Sequence, residues 1–334
     1  MRIRIQPLVI GVAVLLVGLA AWWPFYQVQQ QQLTVLEAER LAAQPGPSRS
    51  DYQPRLDQLQ QTADFATLAS AEMAGRRAGQ PGIVKARQFL VKRFDELGLV
   101  PAGTDGFLHA YRATDEVVGI NVIGRLPGLV MALRPIVISA HYDHLGEREG
   151  SIYHGADDNA SGVATMLALA DYFARHPSRH PLVFVALDHE EQGMQGAQAL
   201  FKDAVLDAKR LALNINLDML SRDTAAQLFA VGTYQHPQLL PFIEMVQKNA
   251  LVALKAGHDR PASVAGHTPD WSSASDHGVF ARHDVPFLYF GVPDHEDYHQ
   301  PTDTFERADL DFYHKVSDTI LSVLLLIDQS DLVQ

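Results

Sequence analysis

Four short, nearly continuous apolar runs mark the middle of the chain: PIVISAH ending at His141, LVFVALD leading into His189-Glu190-Glu191, LALNINLDML carrying Asp218, and PFLYFG. Runs of this length, bounded by turn residues, predict strands buried on both faces. Between them the period becomes helical, in VATMLALADYF after Gly162, around Pro241 to Ala253, and from Leu310 to Ile327. Upstream, Leu56, Leu59, Phe65 and Leu68 predict one amphipathic helix. Ile83, Ala86, Phe89, Leu90, Phe94 and Leu97 predict a second, stopped by Gly98. The stretch MAGRRAGQPG between these two reads as a turn-rich connector, and FLHAYRA, VVGINVIGRL and LFAVG read as further strands. Strands alternating with helices predict an α/β domain with a doubly wound, mostly parallel central sheet flanked by helices. Ligands of such sheets bind beyond the carboxyl ends of the strands, where His141, Glu190, Glu191 and Asp218 all fall.

The N-terminal pattern is different. Arg2 and Arg4 precede an uninterrupted apolar run from Leu8 to Phe25, just long enough for a membrane helix, and Trp22, Trp23, Phe25 and Tyr26 follow at the position of an interfacial aromatic belt. Residues 1–26 are expected to be an uncleaved signal-anchor that places the remainder outside the cytoplasm, on the periplasmic or extracellular side. The alternative is a secretory signal cleaved near Ala20. Residues 27–50, Gln-rich and ending in PGPSRS, read as a linker, leaving 51–334 as the globular domain.

Composition narrows the chemistry. A formal net charge of −12 argues against nucleic acid as a partner. There is no cysteine, so thiolate metal sites are excluded, whereas 15 histidines offer imidazole. Five candidate metal ligands stand out: His141 in SAHYDHLG, Asp158 in HGADDNASG, Glu191 in DHEEQGMQG, Asp218 in NLDML and His299 in DYHQPTDT. Two imidazoles and three carboxylates suit zinc, with cobalt or manganese as substitutes. Five ligands exceed the needs of one open zinc site. One carboxylate bridging two metals, with a His and a carboxylate on each, accounts for the count. Of the adjacent Glu190 and Glu191, one would bind metal and the other remain free as a general base. Asp143, two residues after His141, is placed to orient that imidazole if the segment stays extended.

The ordered set H-x-D, GADDNASG, EEQG, LDM and YHQPTDT resembles the co-catalytic two-zinc aminopeptidase family, whose relatives include bacterial leucyl aminopeptidases, glutamate carboxypeptidases, glutaminyl cyclases and the transferrin receptor ectodomain. The resemblance runs from about Leu56 to Asp328. It implies a zinc exopeptidase-like fold, Asp158 as the bridge, one zinc on His141 and Asp218, the other on Glu191 and His299, and Glu190 as the base. It further implies a cis peptide between Asp158 and Asn159. MAGR resembles the family's leading segment, and SSASDHGVF, with Ser275, Asp276 and His277, resembles one that lines the site, with no role assigned.

The expected activity is therefore removal of N-terminal residues from peptides by a membrane-tethered two-zinc aminopeptidase. A carboxypeptidase, dipeptidase or other amidohydrolase on the same site is the nearest alternative. An inactive metal-binding ectodomain is the alternative of another class, and Glu190, which it would have no need to keep, speaks against it.

Overall fold

A computed structural model describes residues 52–113, 117–130 and 132–330; the expected anchor and linker lie outside the described residues. In chain order the elements that position the site begin with helices α1 (Gln58–Leu68) and α2 (Pro81–Glu96) and strands β1 (Val100–Pro101), β2 (Leu108–Arg112), β3 (Val118–Leu126) and β4 (Ile136–His141). A small hairpin follows, β5 (Gly146–Arg148) and β6 (Ser151–Tyr153), and then α3 (Gly162–Arg175), β7 (Leu182–Leu187), α4 (Gln195–Lys202) and β8 (Leu213–Leu217). The chain closes with β9 (Gln227–Val231), α5 (Leu240–Gln247), β10 (Ala253–Ala256), α6 (His277–Arg282), β11 (Phe287–Gly291) and α7 (Leu310–Gln329).

The main sheet has the order β1-β3-β7-β4-β8-β11-β9-β10, with β2 also paired to β3. Its centre, β7-β4-β8-β11, is wholly parallel. Antiparallel pairing enters only toward the edges, at β1–β3, β2–β3, β3–β7 and β9–β11. The parallel centre follows from burial on both faces. In β4, Ile136, Ile138 and Ala140 face a large core built with α1, α2, α3, α5 and α7, while Val137 points to a smaller core with α4 and α6. In β7, Leu182, Phe184 and Ala186 take the first side, and Val183, Val185 and Leu187 the second. That alternation is the two-residue period of a strand, expressed in runs buried on both faces.

The mostly parallel α/β expectation is borne out, with local corrections; the helix expected from Pro241 to Ala253 ends at Gln247, and Ala253 opens β10. In α1, Leu59 is 86% exposed, and the inward face is carried by Gln61, Asp64, Phe65 and Leu68. Two polar residues can take core positions because each is partnered. The Gln61 amide donates to the Ser317 and Thr165 hydroxyls, and Asp64 pairs with Arg93 at 3.1 Å. The connector after α1 is also more ordered than its turn-rich composition predicts, forming a 3-10 turn over Ala71–Arg76 whose Arg76 is fully buried. Among the described residues no helix is long and apolar enough to cross a membrane.

Candidate metal centre

The four central strands deliver their carboxyl ends to one edge of the sheet. His141 is the last residue of β4, Glu190 and Glu191 follow β7, Asp218 follows β8, and the loop carrying His299 follows β11. Asp158 arrives from the turn ahead of α3. That turn is tied to the segment after β8 by its own side chains. Asn159 donates to the Leu217 carbonyl at 2.9 Å and accepts from Gly162 N at 3.0 Å; Ser161 Oγ accepts from Leu220 N, and Asp157 Oδ1 from Ser221 N. The Asp303 carboxylate accepts from the amides of both Asp157 and Asp158. The peptide between Asp158 and Asn159 is cis, as the resemblance implies.

All five expected ligands converge. His141 Nε2 lies 3.3 Å from Asp158 Oδ1 and 3.3 Å from Asp218 Oδ1. On the other side, His299 Nε2 lies 3.0 Å from Asp158 Oδ2 and 3.5 Å from Glu191 Oε2. The two oxygens of Asp158 thus face different donor groups. Two ligands each about 2.05 Å from a tetrahedral zinc sit ~3.3 Å from one another, so the spacing suits a cation between them. Two trios satisfy a metal's demand for converging donors, His141–Asp158–Asp218 and His144–Asp158–Glu191. The residues present therefore fit zinc.

Electrostatics agree with a cation-binding cluster. Burial alone would raise the Asp158 carboxyl, but the imidazoles of His144, His141 and His299 hold it well below the ordinary carboxylate range. Burial pushes the Glu190 carboxyl well above that range, opposed by His141 and reinforced by Asp276, Asp218 and Asp143. Asp143 does more than orient His141. Its backbone carbonyl sits 3.2 Å from His141 Nδ1, closer than its carboxylate at 3.7 Å, and the carboxylate instead accepts from the amides of Glu190 at 3.0 Å and Glu191 at 3.4 Å. One buried residue so holds both groups, its carbonyl facing the imidazole and its carboxylate accepting from the Glu pair. Of the unassigned trio, Ser275 Oγ accepts from Asn216, His277 is bound to the Trp271 carbonyl at 2.8 Å, and burial lifts the Asp276 carboxyl to about 7.

Three residues outside the expected set belong to the site. His144 is fully buried against Glu191, signalled only by its place three residues after His141. His295 Nε2 lies 3.0 Å from Asp157 Oδ2, clipping the His299 loop to the Asp158 turn. Arg76 donates to the carbonyls of Leu68, Tyr142, His154 and Gly155, tying together the two loops that carry His144 and Asp158.

The centre opens into a cavity of ≈ 190 Å³ in which Glu190 joins the ligands, walled by Met219, Trp271, Tyr289, Val292 and Tyr298, with Asp294 also lining it. Residues 121–324, which contain every strand-end ligand, match the model of peptidase family M28. The chain belongs to that family. The alkaline phosphatase isozyme conversion protein of Escherichia coli is 31% identical over 181 residues, 47% of this chain and 51% of that protein. Aminopeptidase YwaD of Bacillus subtilis is 26% identical over 212 residues, 61% of this chain and 44% of the relative. The match thus spans about half the length of these curated relatives. Among solved structures, the zinc aminopeptidase BSAP of Bacillus subtilis shares the fold, with a TM-score of 0.65 at 16% identity over 82% of this chain and 96% of that one.

Proposed function

We propose that the chain is a zinc-dependent exopeptidase, an aminopeptidase acting on peptide N-termini outside the cytoplasm and held at a membrane by residues 1–26. In this reading residues 27–50 are a linker and 51–334 the catalytic domain. The observation that carries it is the division of donors about Asp158: His141 and Asp218 toward one oxygen, His299 and Glu191 toward the other, with Glu190 left over at the cavity wall. Zinc ions held by these residues would polarise the scissile carbonyl and make water acidic enough to attack near neutral pH.

Glu190 takes the proton from the attacking water as the new C–O bond forms. It then hands the proton to the nitrogen that leaves when the C–N bond breaks. Its burial suits both halves, because a carboxyl held above the ordinary range is a stronger base when ionised. Asp143 keeps Glu190 and Glu191 at fixed separation through their amides. Trp271, Tyr289, Tyr298 and Met219 offer an apolar wall to the substrate's first side chain.

Metal analysis paired with hydrolysis of an aminoacyl chromogen tests the reading. Two zinc ions per chain are expected, with activity lost on chelation and restored by zinc or cobalt. Peptides with a free amine should be cleaved, and N-acetylated ones not. Full activity with one tightly bound metal would remove the bridging role of Asp158, and cleavage of N-blocked peptides would replace the aminopeptidase with a carboxypeptidase or other amidohydrolase.

A further inference from the structure

His144 lies three residues beyond His141, fully buried, with neither ring nitrogen in a hydrogen bond. A buried polar group left that way is destabilising, so natural proteins rarely keep one without a further partner. Its Nδ1 lies 2.8 Å from Glu191 Oε1 and 3.6 Å from Asp158 Oδ2. Glu191 Oε1 is likewise buried and makes no hydrogen bond, so the short approach is not an aligned donor–acceptor pair. Two facing ligand atoms that decline to bond to each other are arranged as a metal's ligands are. His299 reaches the same two carboxylates, its ring 5.8 Å from that of His144 between centroids. The backbone makes room for the imidazole: a Cβ on Gly155 would stand 2.4 Å from His144 Cγ, and the φ of +57° there also favours glycine.

We infer that His144 is a further protein ligand of the metal on the Glu191 side. The inference rests on the two-metal reading above and makes the centre unequal. The Glu191 side then has four protein donors, His144, Asp158, Glu191 and His299, and the other side three, His141, Asp158 and Asp218. Four protein ligands is the closed pattern of a structural zinc, and three leaves a position open for a reacting group. The Glu191 side is the tighter, load-first site, and the His141–Asp218 side is where the substrate is activated.

The test titrates zinc chloride into the metal-stripped full chain in detergent, as wild type and His144→Asn, and records X-ray absorption of both after cobalt loading. Asparagine keeps a weak oxygen donor near the position of Nδ1; His144→Gln serves if the Asn variant does not match the stripped wild type in circular dichroism. The wild type should show two unequal sites. In the variant the tighter site should weaken by more than ~10²-fold, beyond the 10–100-fold typical of an outer partner, and the absorption should lose one of three imidazoles. Unchanged zinc affinities, or an unchanged imidazole count, would overturn the role of His144 while the two-site wild-type titration left the two-metal reading standing. A wild type taking up a single zinc would overturn the two-metal reading. The His144 assignment would then survive if that one site weakened in the variant and fall if it did not.

Discussion

At the scale of single residues, the proposed mechanism separates groups that hold charge from one that moves a proton. Glu190 and Glu191 are neighbours in sequence, yet Glu191 points at His144 and His299 while Glu190 remains on the cavity wall. Glu190→Gln should retain both metals and lose at least ~10²-fold in kcat, the scale of general-base catalysis, with residual turnover. Metal content and steady-state kinetics check this, and an unchanged kcat would assign the base elsewhere. Arg76 works by a different means, spending its guanidinium on four carbonyls and no carboxylate. Burial draws it down only to about 10, so it stays charged among Asp158, Asp303, Asp143 and Glu191. A lysine at this position has three donors on one atom and leaves at least one buried carbonyl unpaired. Arg76→Lys should therefore cost about 1–3 kcal/mol, read as a lowered denaturant midpoint at unchanged slope. Neither Arg76 nor His144 was legible as a site residue in the sequence. Arg76 sits in a Gly-rich polar connector, and only the carbonyls that three-dimensional folding brings around it make its burial tolerable.

At the scale of elements, the candidate ligands were legible where they end strands and obscure where they ride on loops. His141, Asp218 and the Glu pair follow apolar runs whose length marks them as buried strands, and the sheet's parallel centre puts all their ends together. His299 lies eight residues past β11, and its position depends on how that loop is fastened. Asp297 pairs with Arg222 and, at 2.8 Å, with Arg307, while His295 is pinned to Asp157; His299 itself takes a left-handed φ of 56°. A non-glycine residue in that region costs about 1–3 kcal/mol unless its surroundings impose it, and these fastenings supply the constraint. His295→Ala frees one of them without removing a ligand. Zinc affinity on the His299 side should fall by ~10–100-fold while the metal-stripped protein unfolds at nearly the same temperature. His295→Gln, which can still donate to Asp157, should recover part of the loss. Equal zinc affinities in wild type and His295→Ala would show that the Asp297 pairs suffice. Asp143 shows a limit of reasoning from spacing: two residues after His141 suggested a carboxylate on that imidazole, but the loop after β4 brings the Asp143 carbonyl to His141 and sends the carboxylate to the amides of the Glu pair.

At the scale of the whole molecule, the periodicity was enough for the fold because the sheet's central strands are buried on both faces, and the polar residues they carry, Ser139, Asn214 and Asn216, bond to one another. Its edges were less legible: β1 is two residues long and the β5–β6 hairpin three in each strand. The placement of this domain in a cell rests on charge and hydropathy. Residues 1–51 hold four Arg against three acidic residues, leaving a net −13 on residues 52–334. A domain of net negative charge is on balance repelled by anionic lipid headgroups, which argues against electrostatic adhesion to a membrane. In the proposed reading attachment comes from the apolar run Leu8 to Phe25, with Arg2 and Arg4 on the cytoplasmic side. Salt separates the two modes, because screening weakens electrostatic adhesion and leaves burial of an 18-residue apolar run untouched. The full chain should sediment with membranes at low and at high salt alike, come off only in detergent, and give an intact mass that begins at Met1. Protease added to the outer face should digest the domain without permeabilisation. A soluble product whose mass begins near Ala21 would make residues 1–20 a cleaved signal, and a membrane-bound chain protected from outside protease would put the active site in the cytoplasm.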